Sequence, residues 1–237
     1  KTFQYKGEQL AEYYNNSPDT LHTLFYHLYL NAFQPNSQMD VHMRNTSDMP
    51  VRFYKNIGTE AEPKLVTKIS TLKDNEQGFI RIQSLEQNGS PVTYKEVGTI
   101  LQVILKEPIL PNSKATFKMK YTAQIPESVC RMGRNNSDGV ALSLSQWYPR
   151  ICAYDSKGWH PYQYIFAEFY GDWANFDVKI TLDKNYIVAG TGDLQNPEQI
   201  GFGYAGIKEV KTKQKTRTWH FKATNVIDFS WAADQIG

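Results

Sequence analysis

Strict alternation of apolar and polar side chains is the feature that most constrains what this chain can fold into. It is clearest over residues 115–125, which read ATFKMKYTAQI. Lys118, Lys120 and Thr122 occupy one set of positions, and the apolar set is Phe117, Met119, Tyr121, Ala123 and Ile125. Because successive side chains of a β-strand point to opposite faces, this spacing predicts a strand with one buried face.

The same alternation recurs in the second half of the chain. In Phe176–Leu182 the even positions are apolar and the odd positions are polar. Farther on, Trp219, Phe221 and Ala223 alternate with His220, Lys222 and Thr224. Both segments therefore predict further half-buried strands.

Two other segments are apolar at consecutive positions. They are Ile100–Leu105, ILQVIL, and Leu21–Leu30, LHTLFYHLYL. Runs of this kind are typical of central strands that are covered on both faces. The length of the second run also permits a short helix, but its Phe, Tyr and Thr content favours a strand.

Turn-forming residues separate these runs, and a longer polar stretch at Thr71–Gln77 predicts a loop. The predicted turns are Asn15–Pro18, Asn88–Pro91, Pro111–Ser113, Asn135–Gly139 and Thr191–Asp193. Many short strands at this spacing indicate an all-β fold, a sandwich of saddle-shaped antiparallel or mixed sheets. No repeat and no Pro/Ser-rich linker divides the chain, so the expectation is a single domain over residues 1–237.

The balance of charged residues argues against some classes of binding partner. The chain has 26 basic and 24 acidic side chains, a formal net charge of +2, and 14% aromatic residues. Nucleic-acid binding requires a concentrated basic face, which this balance argues against. The densest basic run, Lys208–Arg217, is interrupted by Glu209 and reads as a solvated edge or loop. No segment approaches the about 20 apolar residues that span a bilayer.

Two motifs suggest cofactor chemistry without meeting its requirements. His22 and His27 lie five residues apart with no intervening Glu, and an odd separation places them on opposite faces of a strand. No metal site is therefore predicted. Residues 201–206 match the G-x-G-x-x-G pattern of dinucleotide sites, but a basic and then strand-like segment follows, not a helix. That segment predicts a flexible glycine-aromatic loop.

The only two cysteines, Cys130 and Cys152, form one possible disulfide. In an exported protein a bridge closing a loop of that size contributes about 3 kcal/mol. Sequence does not bring their Cβ atoms within bonding range, so two buried free thiols are an equal alternative.

Gln146 is the one candidate for ligand binding that the pattern itself singles out. It lies in LSLSQWYPRICAYDSKG, Leu142–Gly158, after an alternation of Leu and Ser. A glutamine beside bulky aromatics at a strand end is able to offer its amide to a ligand. The alternative, which pattern alone favours, is a strand ending in an aromatic cluster with Gln146 merely exposed.

Several blocks of sequence resemble the bacterial branch of the aminopeptidase N family of zinc metallopeptidases. In chain order the blocks are YYNNSPDTLHTLFYHLYLNAF (Tyr13–Phe33), SQWYPRICAYDSKGWHPYQY (Ser145–Tyr164), EFYGDWANFDVKITLDKNYIVAGTGDL (Glu168–Leu194) and TWHFKATNVIDFSWAAD (Thr218–Asp234). They cover most of the chain and follow the order of that family's N-terminal β domain.

The resemblance implies a non-catalytic N-terminal domain. Members of the family place a thermolysin-like catalytic domain after it, with a His-Glu-x-x-His zinc motif that this sequence lacks. Zinc is therefore expected only in a domain following residue 237, and the opening strand is expected to be trimmed. The implied partners are that catalytic domain, on which the chain would pack, and the N-terminus of a peptide substrate. The implied location is periplasmic or secreted.

Within this resemblance Gln146 matches the glutamine that the β domain contributes to the substrate cleft. Its amide oxygen would accept a hydrogen bond from the substrate's α-ammonium group. Gln146 lies closer to Pro149 and Asp155 than the corresponding glutamine does in better-known members. Two alternatives remain open. One is a module binding carbohydrate or peptide through Trp147, Tyr148, Trp159, Tyr162 and Tyr164, and the other is a scaffold domain of a degenerate peptidase.

Overall fold

The structure, a computed structural model, describes residues 3–46, 49–129, 132–165, 170–201, 204 and 210–235. Its strands in chain order are β1 (Gln4–Asn15), β2 (Leu21–His27), β3 (Tyr54–Asn56), β4 (Leu65–Thr67), β5 (Phe79–Gln87), β6 (Ser90–Pro91), β7 (Thr93–Val97), β8 (Ile100–Ile109), β9 (Ser113–Gln124), β10 (Gly133–Arg134), β11 (Leu142–Leu144), β12 (Arg150–Ile151), β13 (Tyr154–Asp155), β14 (Gly158–Trp159), β15 (Ala174–Asp183), β16 (Tyr186–Gly190), β17 (Asp193–Leu194), β18 (Thr216–Val226) and β19 (Trp231–Gln235). The helices are α1 (Gln38–Asn45) and α2 (Pro197–Ile200), with 3₁₀ turns at Tyr29–Ala32, Val51–Phe53 and Ile69–Thr71. The all-β class predicted from the sequence is confirmed.

The chain divides into two compact units that interleave along the sequence. Residues 1–130 and 147–172 form the first unit, and residues 131–146 and 173–237 form the second. The chain therefore passes from one unit to the other three times. Such an organisation leaves no single linker, which explains why none is visible in the sequence. Within the described residues, no helix is long and apolar enough to cross a membrane.

Two four-stranded antiparallel sheets make up most of the first unit. Their strand orders are β1-β9-β5-β6 and β12-β2-β8-β7. Two buried amides join them: Asn15 donates to the Ile109 carbonyl, and Gln87 donates to the Glu107 carbonyl. Gly7 faces Tyr121 across the β1–β9 pair, and a Cβ there would lie 2.1 Å from the Tyr121 ring. Only glycine lets this ring lie over strand β1.

The predicted strands of the first unit are confirmed with two differences. All five apolar side chains of the alternating segment are buried, the last of them, Ile125, lying one residue beyond β9, and Lys118 and Lys120 are exposed. Strand β8 is central as predicted, but Ile104 is 50% exposed, so the cover on both faces does not extend to it. Strand β2 ends at His27, and a 3₁₀ turn follows at Tyr29–Ala32, where the Asn31 side chain accepts a hydrogen bond from the backbone N–H of Ile80.

Helix α1 has no counterpart among the predicted elements. Ser37 caps it by accepting a hydrogen bond from the backbone N–H of Asp40. The Asp40 carboxylate is fully buried and accepts from the backbone N–H of Asn36 and from the Thr67 hydroxyl. Arg44 adds a charge 3.4 Å away. The Ser37 side chain thus caps the start of the helix, and the Asp40 carboxylate fixes the residues before it.

The second unit contains a four-stranded antiparallel sheet, β10-β11-β19-β16, and a three-stranded one, β15-β18-β17. The alternation predicted for β15 and β18 is confirmed. Trp219, Phe221 and Ala223 are buried, and they face Ile180, Val178 and Phe176 of the neighbouring strand.

Candidate functional site

Gln146 lies two residues beyond the end of strand β11, inside the second unit. Leu142 and Leu144 are buried on one face of β11, and Gln146 follows at the same parity. Only 3% of its surface is exposed. The interpretation of Gln146 as an exposed strand-end residue is therefore wrong, because the alternation of the strand continues to it and turns it inward.

The backbone at Gln146 adopts a left-handed conformation, with a φ of 54°. A side chain other than glycine in this region typically costs about 1–3 kcal/mol unless its surroundings hold it in place. The backbone N–H of Gln146 donates to Oδ2 of Asp228 at 3.3 Å. Leu144 of β11 pairs with Trp231 of β19. This register places the turn before β19, which contains Asp228, beside residue 146.

Two acceptors at this strand end are buried and have no hydrogen-bond partner among the described residues. They are Oε1 of Gln146 and Oγ of Ser145. A buried polar atom without a partner typically costs about 1–3 kcal/mol. An unused amide oxygen suits a donor that carries positive charge, such as an ammonium group. In the present conformation Oε1 is covered, so a ligand reaches it only if the Gln146 side chain turns outward.

Sequence reasoning did not single out Ser145 or Asp228. Ser145 sits in the Leu-Ser alternation, and Asp228 sits in the block TNVIDFSW, far away in the sequence. The β11–β19 register brings the two segments together, and no local pattern reports a pairing over that separation.

The histidines follow the faces that their spacing predicts. His22 is exposed, whereas His27 is 6% exposed. No three His, Cys, Asp or Glu side chains of the described residues are grouped so as to hold a metal ion. The described part of the chain therefore offers no zinc site.

His27 and Arg150 are both buried in the first unit, where they are directly paired across strands β2 and β12. Burial, and then the Arg150 charge, lower the pKa of His27 to about 4. The Arg150 guanidinium donates to the Tyr148 hydroxyl at 3.1 Å and to the Asp172 carbonyl at 2.6 Å. Gly171 makes room for it, because a Cβ there would lie 2.6 Å from the guanidinium. These contacts hold Arg150 in place and keep His27 neutral near pH 7.

Cys152 is buried, and burial raises the pKa of its thiol. Its possible partner, Cys130, lies outside the described residues. The disulfide between Cys130 and Cys152 therefore stays a prediction.

The glycine-rich motif and the basic run are only partly described. Gly201 ends the short helix α2 with a φ of 84°, whereas a dinucleotide site requires a helix to begin after the glycines. Positions 202, 203 and 205–209 lie outside the described residues. In the basic run Lys211, Lys213 and Lys215 are exposed as predicted, but Arg217 is 8% exposed and donates to the Ile200 and Val210 carbonyls.

The five aromatic residues considered for a binding face do not form an open platform. Tyr148 and Tyr164 are buried, and Trp159 packs against the rings of Tyr13, Phe25 and Tyr154. Trp147 packs against the rings of Tyr5 and Tyr148. Tyr162, at 70% exposure, is the one largely exposed ring of the five. Most of this aromatic surface is therefore used inside the first unit.

Comparison with known proteins gives structural likenesses only. No protein-family model and no curated protein matches the chain. It is similar to an M1 zinc metallopeptidase from Deinococcus radiodurans, in a mutant bound to a Tyr-Ser-Ala substrate, at 13% identity with a TM-score of 0.49. That match covers 96% of this chain and 37% of the other.

A second structure of an M1 zinc metallopeptidase from the same organism matches at 12% identity and a TM-score of 0.49, covering 96% of this chain and 37% of the other. A two-domain M1 zinc metallopeptidase mutant bound to L-arginine matches at 15% identity and a TM-score of 0.39, covering 65% and 32%. The chain thus spans little more than a third of the length of the structures it resembles.

Proposed function

We propose that this chain is the non-catalytic N-terminal β domain of a zinc aminopeptidase-like protein. It packs on a catalytic domain and forms one wall of the cleft that binds the peptide substrate. Support comes from the ordered sequence blocks that resemble this domain and from the all-β fold. The observation that carries the proposal is the buried, left-handed Gln146 with an unused amide oxygen.

Gln146 has the chemistry required to hold a substrate's α-ammonium group. An amide oxygen is a neutral acceptor, and a hydrogen bond from a charged donor is about twice as strong as one between neutral groups. The bond from the Gln146 N–H to Asp228 holds the backbone turn, and the buried side chain would have to rotate outward for its amide oxygen to meet the substrate. Zinc and the catalytic base belong to the partner domain, and no step involves a metal held by this chain.

The first test is the activity of the chain alone. Incubated with zinc and an aminoacyl p-nitroanilide, it should release no product above the rate of a zinc-only control. Hydrolysis that follows the protein through purification would overturn the non-catalytic assignment.

The second test uses the longer protein that joins this chain to its catalytic domain. Gln146→Ala should raise KM for an aminoacyl substrate about tenfold, because a hydrogen bond to a charged group is lost in the bound state. The matched control is Gln83→Ala, which removes an exposed glutamine of strand β5 in the first unit. Unchanged KM and kcat in the Gln146 variant would remove this residue from the cleft.

A further inference from the structure

A polar cavity of about 570 Å³ lies in the second unit, on the outer face of the three-stranded sheet. It shares no lining residue with the strand end that carries Gln146. Strands β15 and β18, helix α2 and the segment before β18 supply its walls. Its volume lies within the roughly 300–1,000 Å³ range of small-molecule sites.

Asn196 and Arg217 build the frame of this cavity. Asn196 donates to the Thr218 carbonyl at 2.9 Å and accepts from the His220 backbone N–H at 3.0 Å. This pair of bonds holds the start of helix α2 against strand β18. The buried Arg217 guanidinium donates to the carbonyls of Ile200 and Val210, and so joins the end of α2 to the opposite wall. Both walls are thus fixed by side-chain bonds within the unit.

The charge of the lining is positive. Lys179 and Arg217 are the cations that line the cavity, and no lining side chain of the described residues is Asp or Glu. Lys179 lies opposite His220 in the β15–β18 register and forms no ion pair with any described residue. His220 is held from outside the cavity, because its Nε2 lies 2.7 Å from the Asp177 carboxylate. Lys179 is therefore the cation available to an incoming anion.

The remaining lining is rich in groups that both donate and accept hydrogen bonds. It includes threonine hydroxyls and the amides of Gln195, Gln199 and Gln214. Gln195 already donates one hydrogen to the Asp193 carbonyl and Gln199 accepts one bond from Asn196, so each amide keeps further donor and acceptor capacity. Sulfate offers acceptors alone, and phosphate near pH 7 carries only one or two O–H donors, so neither would satisfy the several amide oxygens. Sugar hydroxyl groups donate and accept, so they match these amides. A neutral sugar, however, would make no use of the positive charge.

We infer that this cavity binds an acidic sugar, a saccharide unit bearing a carboxylate, with Lys179 pairing the carboxylate and the glutamine amides contacting the hydroxyls. The inference goes beyond the proposed role in a peptidase cleft, and it neither requires nor supports that role.

Titration of the ¹⁵N-labelled chain, followed by two-dimensional NMR, tests this assignment. The probes are D-galacturonate, D-galactose and inorganic phosphate. Galacturonate and galactose share the ring and differ at the carboxylate, so their comparison isolates the charge. Galacturonate should give saturable shifts at residues lining the cavity, with affinity at least about fivefold above that for either other probe, as expected for a hydrogen bond to a charged group.

Two variants carry the same change of charge. Lys179→Gln should weaken galacturonate binding about fivefold or more, because it removes the pairing cation. Lys213→Gln is the matched control, since Lys213 is exposed and lies between two lining residues without lining the cavity itself. Both are surface changes, and their unchanged spectra without ligand will verify the fold.

Four results would overturn the inference. They are no saturable shift with galacturonate, equal binding of phosphate, equal binding of galactose, or an equal loss in the Lys213 and Lys179 variants. The second points to a simple oxyanion site, the third to a neutral-sugar site, and the fourth to diffuse attraction by the basic segment.

Discussion

Asp40 and Gln146 are both buried polar residues near the end of a short element, and their surroundings are opposite. Asp40, at the start of helix α1, is fully buried, and its carboxylate accepts from a backbone N–H and a hydroxyl and lies beside Arg44. Gln146, beyond strand β11, is 3% exposed, and its amide oxygen accepts nothing from the described residues.

The difference separates a structural role from a candidate binding role. A fully paired buried group stabilises the fold and is costly to remove, whereas an unpaired one destabilises the fold until a partner arrives. The contacts of Asp40 therefore stabilise the fold. The Gln146 region has hydrogen-bonding capacity left for a ligand.

The largest effect is expected at the paired residue. Asp40→Ala leaves the Thr67 hydroxyl and the Asn36 N–H without their buried partner, and should lower the free energy of unfolding by about 3 kcal/mol. Urea unfolding followed by tryptophan fluorescence measures this change. The control Asp138→Ala removes an exposed carboxylate from a turn and should alter stability by less than about 0.5 kcal/mol. A loss below about 1 kcal/mol at Asp40 would remove the contrast.

His27 extends the comparison to a buried group that is kept neutral. Its folded pKa of about 4 lies below the ordinary value of 6.5, so the unfolded chain takes up a proton first as pH falls. The stability that neutral His27 contributes is fully present above about pH 6.5 and is lost as the pH falls from about 6.5 to about 4. Unfolding at pH 5 should require about 2 kcal/mol less than at pH 7.

The variant His27→Gln should show less of this pH dependence, whereas His22→Gln, at an exposed position, should retain it. Equal pH profiles for His27→Gln and the unsubstituted chain would assign the acid sensitivity to another group.

The smallest expected effect has the opposite sign. Gln146→Met replaces an unpaired buried amide with an apolar side chain of similar length, and should raise the free energy of unfolding by about 1 kcal/mol. Gln124 is the matched control, because this buried glutamine donates to the carbonyls of Asp74 and Gln77. Gln124→Met should lower stability by about 2 kcal/mol. Losses of equal size at both positions would show that Gln146 is a structural residue like Gln124.

The sequence predicts a strand well where one face of that strand is buried and the other face is exposed to solvent. Strands β9, β15 and β18 satisfy that condition, and their alternation gave the correct faces. Ile104 escaped prediction because an apolar run does not report which of its residues a neighbouring segment covers. Helix α1 escaped because it is short, although Ser37 followed by Asp40 is a local capping pattern.

The sequence identified Gln146 as the candidate binding residue, but it did not identify the residues that surround Gln146. The Leu-Ser alternation before Gln146 contains the information that residue 146 turns inward, if its parity is continued past the strand end. Asp228 was unpredictable, since it reaches Gln146 only through a pairing between distant strands. The cavity beside Lys179 was also not predictable from the sequence, because the segments that form its walls share no sequence pattern.

The interleaving of the two units has a consequence for biosynthesis. As the protein emerges from the ribosome, β11 appears long before β19, its ladder neighbour, and β12 pairs with β2 only after β10 and β11 have been made. Contacts of such large sequence separation slow folding, because loop closure precedes any stabilising pairing. A nascent chain halted at residue 172 would carry every segment of the first unit together with an orphaned edge from the second. Neither unit is therefore one continuous segment of the chain, and β11 has no partner in β19 until the last strands of the second unit have been made.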